Sequence, residues 1–261
     1  MSEQETQTED FYLSRASLLQ KQDPKSNAAL ADYTTVIHLN PNNTTAYNKR
    51  GVIYYFQRKL ELALADFNQA ISLDPSDPTV ITNRANVYAL QGKYDLAFDE
   101  YNHAITFDSN YTLAYFNRGR VYSILGKIEL ALADFNHSLT LDPTHAPTYG
   151  ERAILYAYQR KYDLALADYN TAIGYKPKDA VYLSNRGSAY TNLEQYDLAL
   201  ADLNTALALA PQLGAAYFNR GLLYRKMQRY QDALDSFQQC KQLSPHSDYL
   251  EKQIAELKLL I

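Results

Sequence analysis

Six arginines recur every 34 positions, and an acidic residue precedes each of them by 18 positions. A row of guanidinium groups could bind an anionic ligand such as a carboxylate or a phosphate. At both ends, however, the two partners are lost together. Ala16 stands at the first arginine position, and Ser236 and Ile254 replace the last acid and the last arginine. This matched loss favours ion pairs that join each acid to the arginine of the next repeat. The predicted pairs are Asp32 with Arg50, Asp66 with Arg84, Glu100 with Arg118, Asp134 with Arg152, Asp168 with Arg186, and Asp202 with Arg220.

Histidine and cysteine are the other side chains that could do chemistry, and their spacing indicates no active site. The five histidines, His38, His103, His137, His145 and His246, form no metal-binding motif. Cys240 stands where other repeats have a small residue, which indicates packing rather than a nucleophile. A glycine-rich phosphate loop and a nucleophile elbow are also absent from the sequence. We therefore predict a protein that is not an enzyme, with no catalytic, cofactor-binding or metal-binding residues.

The composition narrows the classes of partner. The chain has 261 residues, a net charge of −4 and 46% apolar residues, so it can bury a large core. An acidic chain lacks the basic surface that nucleic acid requires, and no apolar run approaches the ~18 residues of a membrane span. A single cysteine fits a reducing compartment, and residues 1–10 are polar and acidic rather than a secretion signal. We expect a cytoplasmic protein that binds other proteins.

The sequence consists of 34-residue repeats. The segment ALADFNQAISLDP at 63–75 returns as ALADFNHSLTLDP at 131–143 and as ALADYNTAIGYKP at 165–177. Seven frames cover residues 10–247 without insertion, and residues 1–9 precede them as an acidic lead that we predict to be disordered. The frames start at 10, 44, 78, 112, 146, 180 and 214.

Each frame contains two stretches with helical periodicity, since apolar and small residues recur every three or four positions. A short polar link separates them, and Gly92 or Gly126 in this link suits a helix C-cap. Proline ends the second stretch in most frames, as at Pro75 and at Pro245. Small residues such as Gly119 and Ala131 should face each other, so that the two helices of a repeat pack closely.

These residues resemble the tetratricopeptide repeat (TPR) family, over about nine tenths of the chain. The shared pattern is an aromatic residue, a small residue four places on, a tyrosine three further, then alanine, an aromatic residue, alanine and proline. Ser109, Ser138 and Cys240 depart from it, and the first helix of frame 10–43 is degenerate. The resemblance implies an all-α, right-handed superhelical solenoid of seven antiparallel helix pairs whose first helices line a concave groove.

The residues that the resemblance places in this groove include an amide row with apolar neighbours. Amides can bond a peptide backbone as donor and acceptor, and apolar side chains can anchor a partner, so we predict binding of an extended peptide or protein segment. The alternative is that asparagine merely suits an exposed polar surface. The predicted groove residues are Asn83, Asn86, Leu90, Phe116, Asn117, Arg120, Ile124, Tyr158, Asn185, Phe218, Asn219 and Arg225.

We place the main site on the first helices of frames 78–111 and 112–145. There Phe116 should anchor an apolar side chain, in one pocket with Leu90, Ile124 and Tyr158. A second amide row, Asn185 and Asn219, should prefer acidic segments because Arg225 and Lys226 lie nearby.

The C-terminal segment 248–261 is predicted to be a capping helix with one apolar face, as a solenoid requires at its end. The residues of that face are Leu250, Ile254, Leu257 and Ile261. Leu259 and Leu260 add more apolar surface than a cap needs, which favours contact with another chain. The alternative function is therefore a self-assembling spacer that forms homo-oligomers through its ends.

Overall fold

In the computed structural model, which describes residues 3–243 and 248–261, the described chain forms 15 α-helices and no β-strand. These helices divide between two units, residues 1–141 and residues 142–261. The first unit contains α1 (Glu3–Gln22), α2 (Asn27–Leu39), α3 (Thr44–Phe56), α4 (Leu60–Leu73), α5 (Pro78–Leu90), α6 (Tyr94–Phe107), α7 (Thr112–Ile124) and α8 (Ile128–Leu141). The second contains α9 (Ala146–Tyr158), α10 (Tyr162–Tyr175), α11 (Ala180–Asn192), α12 (Tyr196–Leu209), α13 (Gly214–Lys226), α14 (Tyr230–Leu243) and α15 (Asp248–Lys258). None of the described helices is long and apolar enough to cross a membrane.

Within each unit the helices pack as consecutive pairs, one pair for each 34-residue frame. In the first unit, α1 packs on α2, α3 on α4, α5 on α6 and α7 on α8; in the second, the pairs are α9–α10, α11–α12 and α13–α14, with α15 against α14. Successive pairs within a unit also touch, since α2 contacts α3 and α4 contacts α5. The predicted all-α fold of tandem helix pairs is confirmed.

Each repeat buries one large side chain of its second helix at the centre of the pair. These residues, each at most 2% exposed, are Tyr33, Phe67, Tyr101, Phe135, Tyr169, Leu203 and Phe237. A Cβ atom at Gly119 of α7 would lie 2.8 Å from Cε1 of Phe135 and 3.2 Å from Cβ of Asp134. Phe135 and Asp134 thus supply the atoms nearest to a Cβ at this position, and the expected facing of Gly119 and Ala131 stays a prediction. The glycine is needed because the ring packs directly against the backbone of α7.

The links between the two helices of a repeat require a left-handed residue. Gly92 has φ +74° and Gly126 has φ +69°, in agreement with the predicted C-caps. The equivalent position in other repeats holds a residue with a side chain and φ near +60°: Arg58, Arg160, Glu194 and Gln228.

The second helices end on an extended residue just before the proline. Asp74 has φ −136° ahead of Pro75, and Asp108 has φ −138° although Ser109 replaces the proline. The helix therefore ends at the same place without proline. The predicted end at Pro245 lies outside the described residues.

Residues 3–9 of the predicted disordered lead are helical, because α1 begins at Glu3. The reason is a buried acid: Glu9 is only 7% exposed. Its Oε1 accepts hydrogen bonds from Nδ2 of Asn40 at 3.0 Å and from Nδ2 of Asn43 at 2.6 Å. These bonds attach α1 to the link between α2 and α3.

The last helix covers the end of the second unit. Leu250, Gln253, Ile254 and Leu257 of α15 are buried, and the three apolar ones join a core cluster with residues of α14. Because α15 ends at Lys258, Ile261 leaves the apolar face predicted for it and is 63% exposed.

Candidate functional site

The arginines and acids of the sequence form ion pairs, and each pair lies within one repeat. Arg118 of α7 donates from Nε to Oδ2 of Asp134 at 2.8 Å and from Nη2 to Oδ1 at 2.6 Å. The same pairing joins Arg50 with Asp66, Arg84 with Glu100, Arg152 with Asp168, and Arg186 with Asp202. The predicted pairing is therefore wrong, because the acid in each of these five repeats pairs with the arginine 16 positions before it and not with the one 18 positions after it.

The physical reason is the antiparallel packing of each pair, which brings the middle of the second helix beside the arginine of its own first helix. The side chain that bonds to the arginine of the next repeat lies two positions after the acid on the second helix. Arg118 donates from Nη1 to Oδ1 of Asn102 in the preceding repeat at 2.5 Å. Arg84 likewise donates to Oδ1 of Asn68 at 2.9 Å.

The first and last arginines of the series differ from the others. Arg15 binds Asp32 at 2.6 Å and was missed in the sequence, because it stands one position before the place of the arginine in the other frames, which Ala16 occupies here. Arg220 has no acid at the equivalent position, and its Nε donates to Oγ of Ser236 at 3.3 Å.

These arginines serve the packing of the repeats. The side chains of Arg118 and Asp134 are 18% and 8% exposed. The pKa of Arg118 is raised above its ordinary value because its guanidinium donates hydrogen bonds to the carboxylate of Asp134. A series of guanidinium groups held in this way is not an anion-binding surface.

Two adjoining cavities lie along the first helices of the first unit. One has a volume of about 190 Å³ and is lined from α3, α4 and α5; the other has about 160 Å³ and is lined from α3, α5, α6 and α7. Tyr55 and Asn86 line both, so that the two form one surface, the first-unit groove. Its lining residues are Val52, Tyr55, Phe56, Phe67, Asn83, Asn86, Ala89, Leu90, Tyr101, Asn117, Arg120, Val121 and Ile124. Six predicted groove residues come together here: Asn83, Asn86, Leu90, Asn117, Arg120 and Ile124.

The amide side chains of the first-unit groove differ in how many of their hydrogen bonds are made within the protein. Nδ2 of Asn83 donates to Oδ1 of Asn48 on the preceding first helix at 2.8 Å. Oδ1 of Asn86 accepts from the hydroxyl of Tyr101 at 2.7 Å, which leaves the NH2 group of Asn86 for a ligand. Burial raises the pKa of Tyr101, so its hydroxyl stays protonated and keeps this orientation. For the amide of Asn117, no hydrogen bond occurs within the described residues.

Three apolar side chains stand at equivalent positions beside these amides. Phe56, Leu90 and Ile124 are the last residues of α3, α5 and α7, and they are 43%, 38% and 65% exposed. Phe116, predicted to anchor this pocket, does not line either cavity. Its ring lies 6.1 Å from that of Phe135, and Cζ of Arg120 lies 5.8 Å from its centre.

The second unit also has two adjoining cavities along its first helices. They measure about 340 Å³ and 330 Å³ and share Ser188, Asn192 and Asn219. The residues of this second-unit groove are Ile154, Ala157, Tyr162, Tyr169, Asn185, Ser188, Ala189, Thr191, Asn192, Asn219, Leu222, Arg225 and Lys226. Of the predicted residues, Asn185, Asn219 and Arg225 line it. Tyr158 is 78% exposed and lines neither cavity.

Helix α15 changes the role of two predicted groove residues. The ring of Phe218 lies 5.7 Å from Phe237 and 5.9 Å from Tyr249 of α15, so Phe218 is packed beneath the cap and does not line the groove. Arg225 donates to Gln253 and, from Nη2, to Oε2 of Glu256 at 2.8 Å. The predicted preference for acidic segments therefore loses the contribution of Arg225, because a carboxylate of α15 already binds it.

Sequence reasoning missed the polar residues Ser188, Thr191 and Asn192 of the second-unit groove. Asn192 occupies the same place in its frame as Tyr158 and Ile124 do in theirs, so the repeat spacing itself could have identified it. Tyr101 was missed because its ring belongs to the core, whereas its hydroxyl reaches Asn86.

The histidines and the cysteine are the other candidates for chemistry. In the described parts of the chain, no group of three or more His, Cys, Asp and Glu side chains could hold a metal ion. Cys240 is 7% exposed, and burial raises the pKa of its thiol. His246 lies outside the described residues.

Tandem helix pairs with grooves along their first helices define a helical repeat protein. A family model described as tetratricopeptide repeat matches residues 44–77, 112–145, 180–213 and 214–247. A second model of that description matches 146–179, and one described as TPR repeat matches 85–123. The chain belongs to the TPR family. A search of curated protein sequences gives no significant match.

Solved structures share this fold at low sequence identity. The structure of the APC/C hetero-tetramer Cut9–Hcn1 matches with a TM-score of 0.79 and 19% identity, over 94% of this chain and 52% of that one. This chain thus spans about half the length of that relative. A TPR protein from Parabacteroides merdae matches at 0.67 and 20%, over 97% and 99% of the two chains. YrrB, a TPR protein with an unusual peptide-binding site, matches at 0.51 and 24%, over 70% and 95%.

Proposed function

We propose that the protein is a non-catalytic, cytoplasmic scaffold that holds an extended segment of a partner protein in the first-unit groove. The observation that carries this proposal is the pairing of amide groups with exposed apolar side chains. The NH2 group of Asn86 and the amide of Asn117 can bond a peptide backbone, while Leu90 and Ile124 can cover apolar side chains. Family membership supports the general role, since TPR folds serve protein interactions.

The grooves require little reorganisation to bind. The amide of Asn83 is held by Asn48, and that of Asn219 is held by Ser184 at 3.1 Å. These bonds join neighbouring first helices, so the lining is formed before a partner arrives. Binding to a preformed surface costs little conformational entropy on the protein side.

A library of displayed random peptides, selected on the full immobilised chain, tests this proposal. We expect the selected peptides to lose binding to a Leu90→Ser/Ile124→Ser variant, which removes two groove side chains. The matched control is Leu96→Ser/Leu130→Ser, because these leucines are 47% and 49% exposed on the second helices of the same repeats. If the selected peptides bind the groove variant as tightly as they bind the wild type, the first-unit groove is not the binding site.

The second candidate, self-assembly through the C-terminal end, is favoured by one observation. Leu259, Leu260 and Ile261 follow α15 and are 88%, 55% and 63% exposed. Sedimentation over a range of protein concentrations tests it. A mass that rises with concentration, and falls to the monomer in Leu259→Ser/Leu260→Ser, is the expected result for a spacer; a constant monomer mass contradicts it.

A further inference from the structure

We propose that the segment held in the first-unit groove is proline-rich, adopts the polyproline II conformation and carries an apolar side chain at every third residue. This inference rests on the proposed function and specifies the chemistry of the partner. Its support comes from the spacing of three apolar side chains, from the hydrogen-bonding groups beside them and from the charge of the groove.

The spacing matches polyproline II. Phe56, Leu90 and Ile124 end successive first helices, and α3 contacts α5 as α5 contacts α7. Packed helices have axes about 8–10 Å apart. A polyproline II chain rises ~3.1 Å per residue with three residues per turn, so every third side chain returns to the same face after about 9 Å. In a β-strand, residues three apart point to opposite faces and could not follow these anchors.

The hydrogen-bonding groups of the groove match a backbone that supplies acceptors. The NH2 group of Asn86 is a donor, because Oδ1 of this amide already accepts from Tyr101. Asn117 adds a second amide one repeat later. A polyproline II chain has no internal hydrogen bonds, so its carbonyl groups are available, and proline has no N–H group that would need an acceptor. An α-helical partner uses its carbonyl groups internally and would leave these donors without partners.

The charge of the groove selects against basic partners in favour of acidic or neutral ones. None of the residues that line the first-unit groove is acidic, although the whole chain carries a net charge of −4, so the lining offers no carboxylate to a basic segment. The complementary segment therefore has acidic or neutral residues between its apolar positions.

Three synthetic peptides of about twelve residues test the inference by fluorescence anisotropy with the full chain. The first repeats Leu-Pro-Glu, the second is an isomer of the same composition with leucine at alternate positions, and the third repeats Leu-Pro-Lys. We expect the first to bind at least tenfold more tightly than the other two. Leu90→Ser/Ile124→Ser should weaken this binding about tenfold, and Leu96→Ser/Leu130→Ser should leave it unchanged. Circular dichroism of both variants checks that their helices are intact.

Failure of this inference can be told from failure of the proposed function. If the alternate isomer binds as well as the first peptide and the groove variant abolishes both, the spacing is wrong and the groove remains the binding site. Equal binding of the Leu-Pro-Lys peptide would overturn the charge argument. If no peptide binds, the polyproline II assignment is overturned. The proposed function is then tested separately, by whether peptides selected from the random library lose binding to the groove variant.

Discussion

Equivalent positions of the two units carry side chains of different chemistry. The last residues of α3, α5 and α7 are Phe56, Leu90 and Ile124; those of α9, α11 and α13 are Tyr158, Asn192 and Lys226. The helices have the same length, and their ends occupy the same place in each repeat. The repeat backbone thus fixes where a groove side chain stands, while a single residue of each repeat decides whether that place is apolar or polar.

A second contrast concerns the charges between the helices. In the first unit, the arginines of α3, α5 and α7 each bind a carboxylate of their own repeat. In the second unit α9 and α11 do the same, whereas Arg220 of α13 meets the hydroxyl of Ser236. The two units can therefore be compared with matched substitutions.

The largest effect should come from the ion pairs. Arg118→Leu is expected to lower the free energy of unfolding by about 3 kcal/mol, because it leaves the largely buried carboxylate of Asp134 without its partner. Arg220→Leu in the second unit should cost less than half of this, since Ser236 carries no charge. Chemical denaturation measures both values.

A double-mutant cycle sharpens this prediction. Adding Asp134→Leu to Arg118→Leu should recover much of the loss, whereas Glu100→Leu and Arg118→Leu should simply add. A strong coupling between Glu100 and Arg118 would contradict the pairing within repeats.

Two glycine substitutions should give the next largest effect, with opposite signs at a packed position, Gly119, and at an open one, Gly174. Gly119→Ala is expected to cost about 2 kcal/mol, because its new Cβ would lie 2.8 Å from the ring of Phe135. Gly174→Ala in α10 meets no atom within 4 Å and should stabilise by about 0.5 kcal/mol, since alanine favours a helix. Thermal unfolding of both variants provides the measurement. Equal effects would show that the first glycine is not packed against the ring.

Exchanging the chemistry of the two grooves tests the first contrast directly. Ile124→Asn, which introduces the residue that α11 has at the equivalent position, should weaken binding of the Leu-Pro-Glu peptide about fivefold, or ~1 kcal/mol, because it removes one of the three apolar anchors. Asn192→Ile, the reverse change in the second unit, should leave that peptide's binding to the first-unit groove unaltered. Anisotropy titrations measure both, and a loss of the same size in Asn192→Ile would place the peptide elsewhere.

The smallest expected effect is a gain in stability. Ser236→Asp introduces a carboxylate opposite Arg220, at the position where the preceding repeats have an acidic residue. The variant should be more stable by roughly 0.5–1 kcal/mol at low salt, and the gain should shrink as salt screens the pair. Denaturation at two salt concentrations checks this. A loss of stability would mean that α14 does not admit the longer side chain.

Periodicity made the helix pairs predictable, because caps, small residues and core rings all repeat in phase. It could not settle the ion pairs. Each acid stands between two arginines at nearly equal distances along the chain, so the repeat period fits both choices, and only the antiparallel packing of the helices decides. The predictions that Phe218 lines the groove and that Arg225 favours acidic segments failed for a different reason: Tyr249 and Glu256 of α15, beyond the last frame, pack against these two residues. A contact outside the period leaves no periodic signal.

The pairing within repeats has a consequence for how such a chain can grow. Since Arg118 and Asp134 lie in the same 34-residue block, copying or deleting that block adds or removes both charges of this ion pair together. The new junction then needs only a neutral acceptor for the arginine, of the kind that Asn102 provides. The alternative is an acid that pairs with the arginine of the following block. In that case, a block copied next to a block without the partner residue would bury an unpaired charge at the junction. The array is thus modular in its electrostatics as well as in its length.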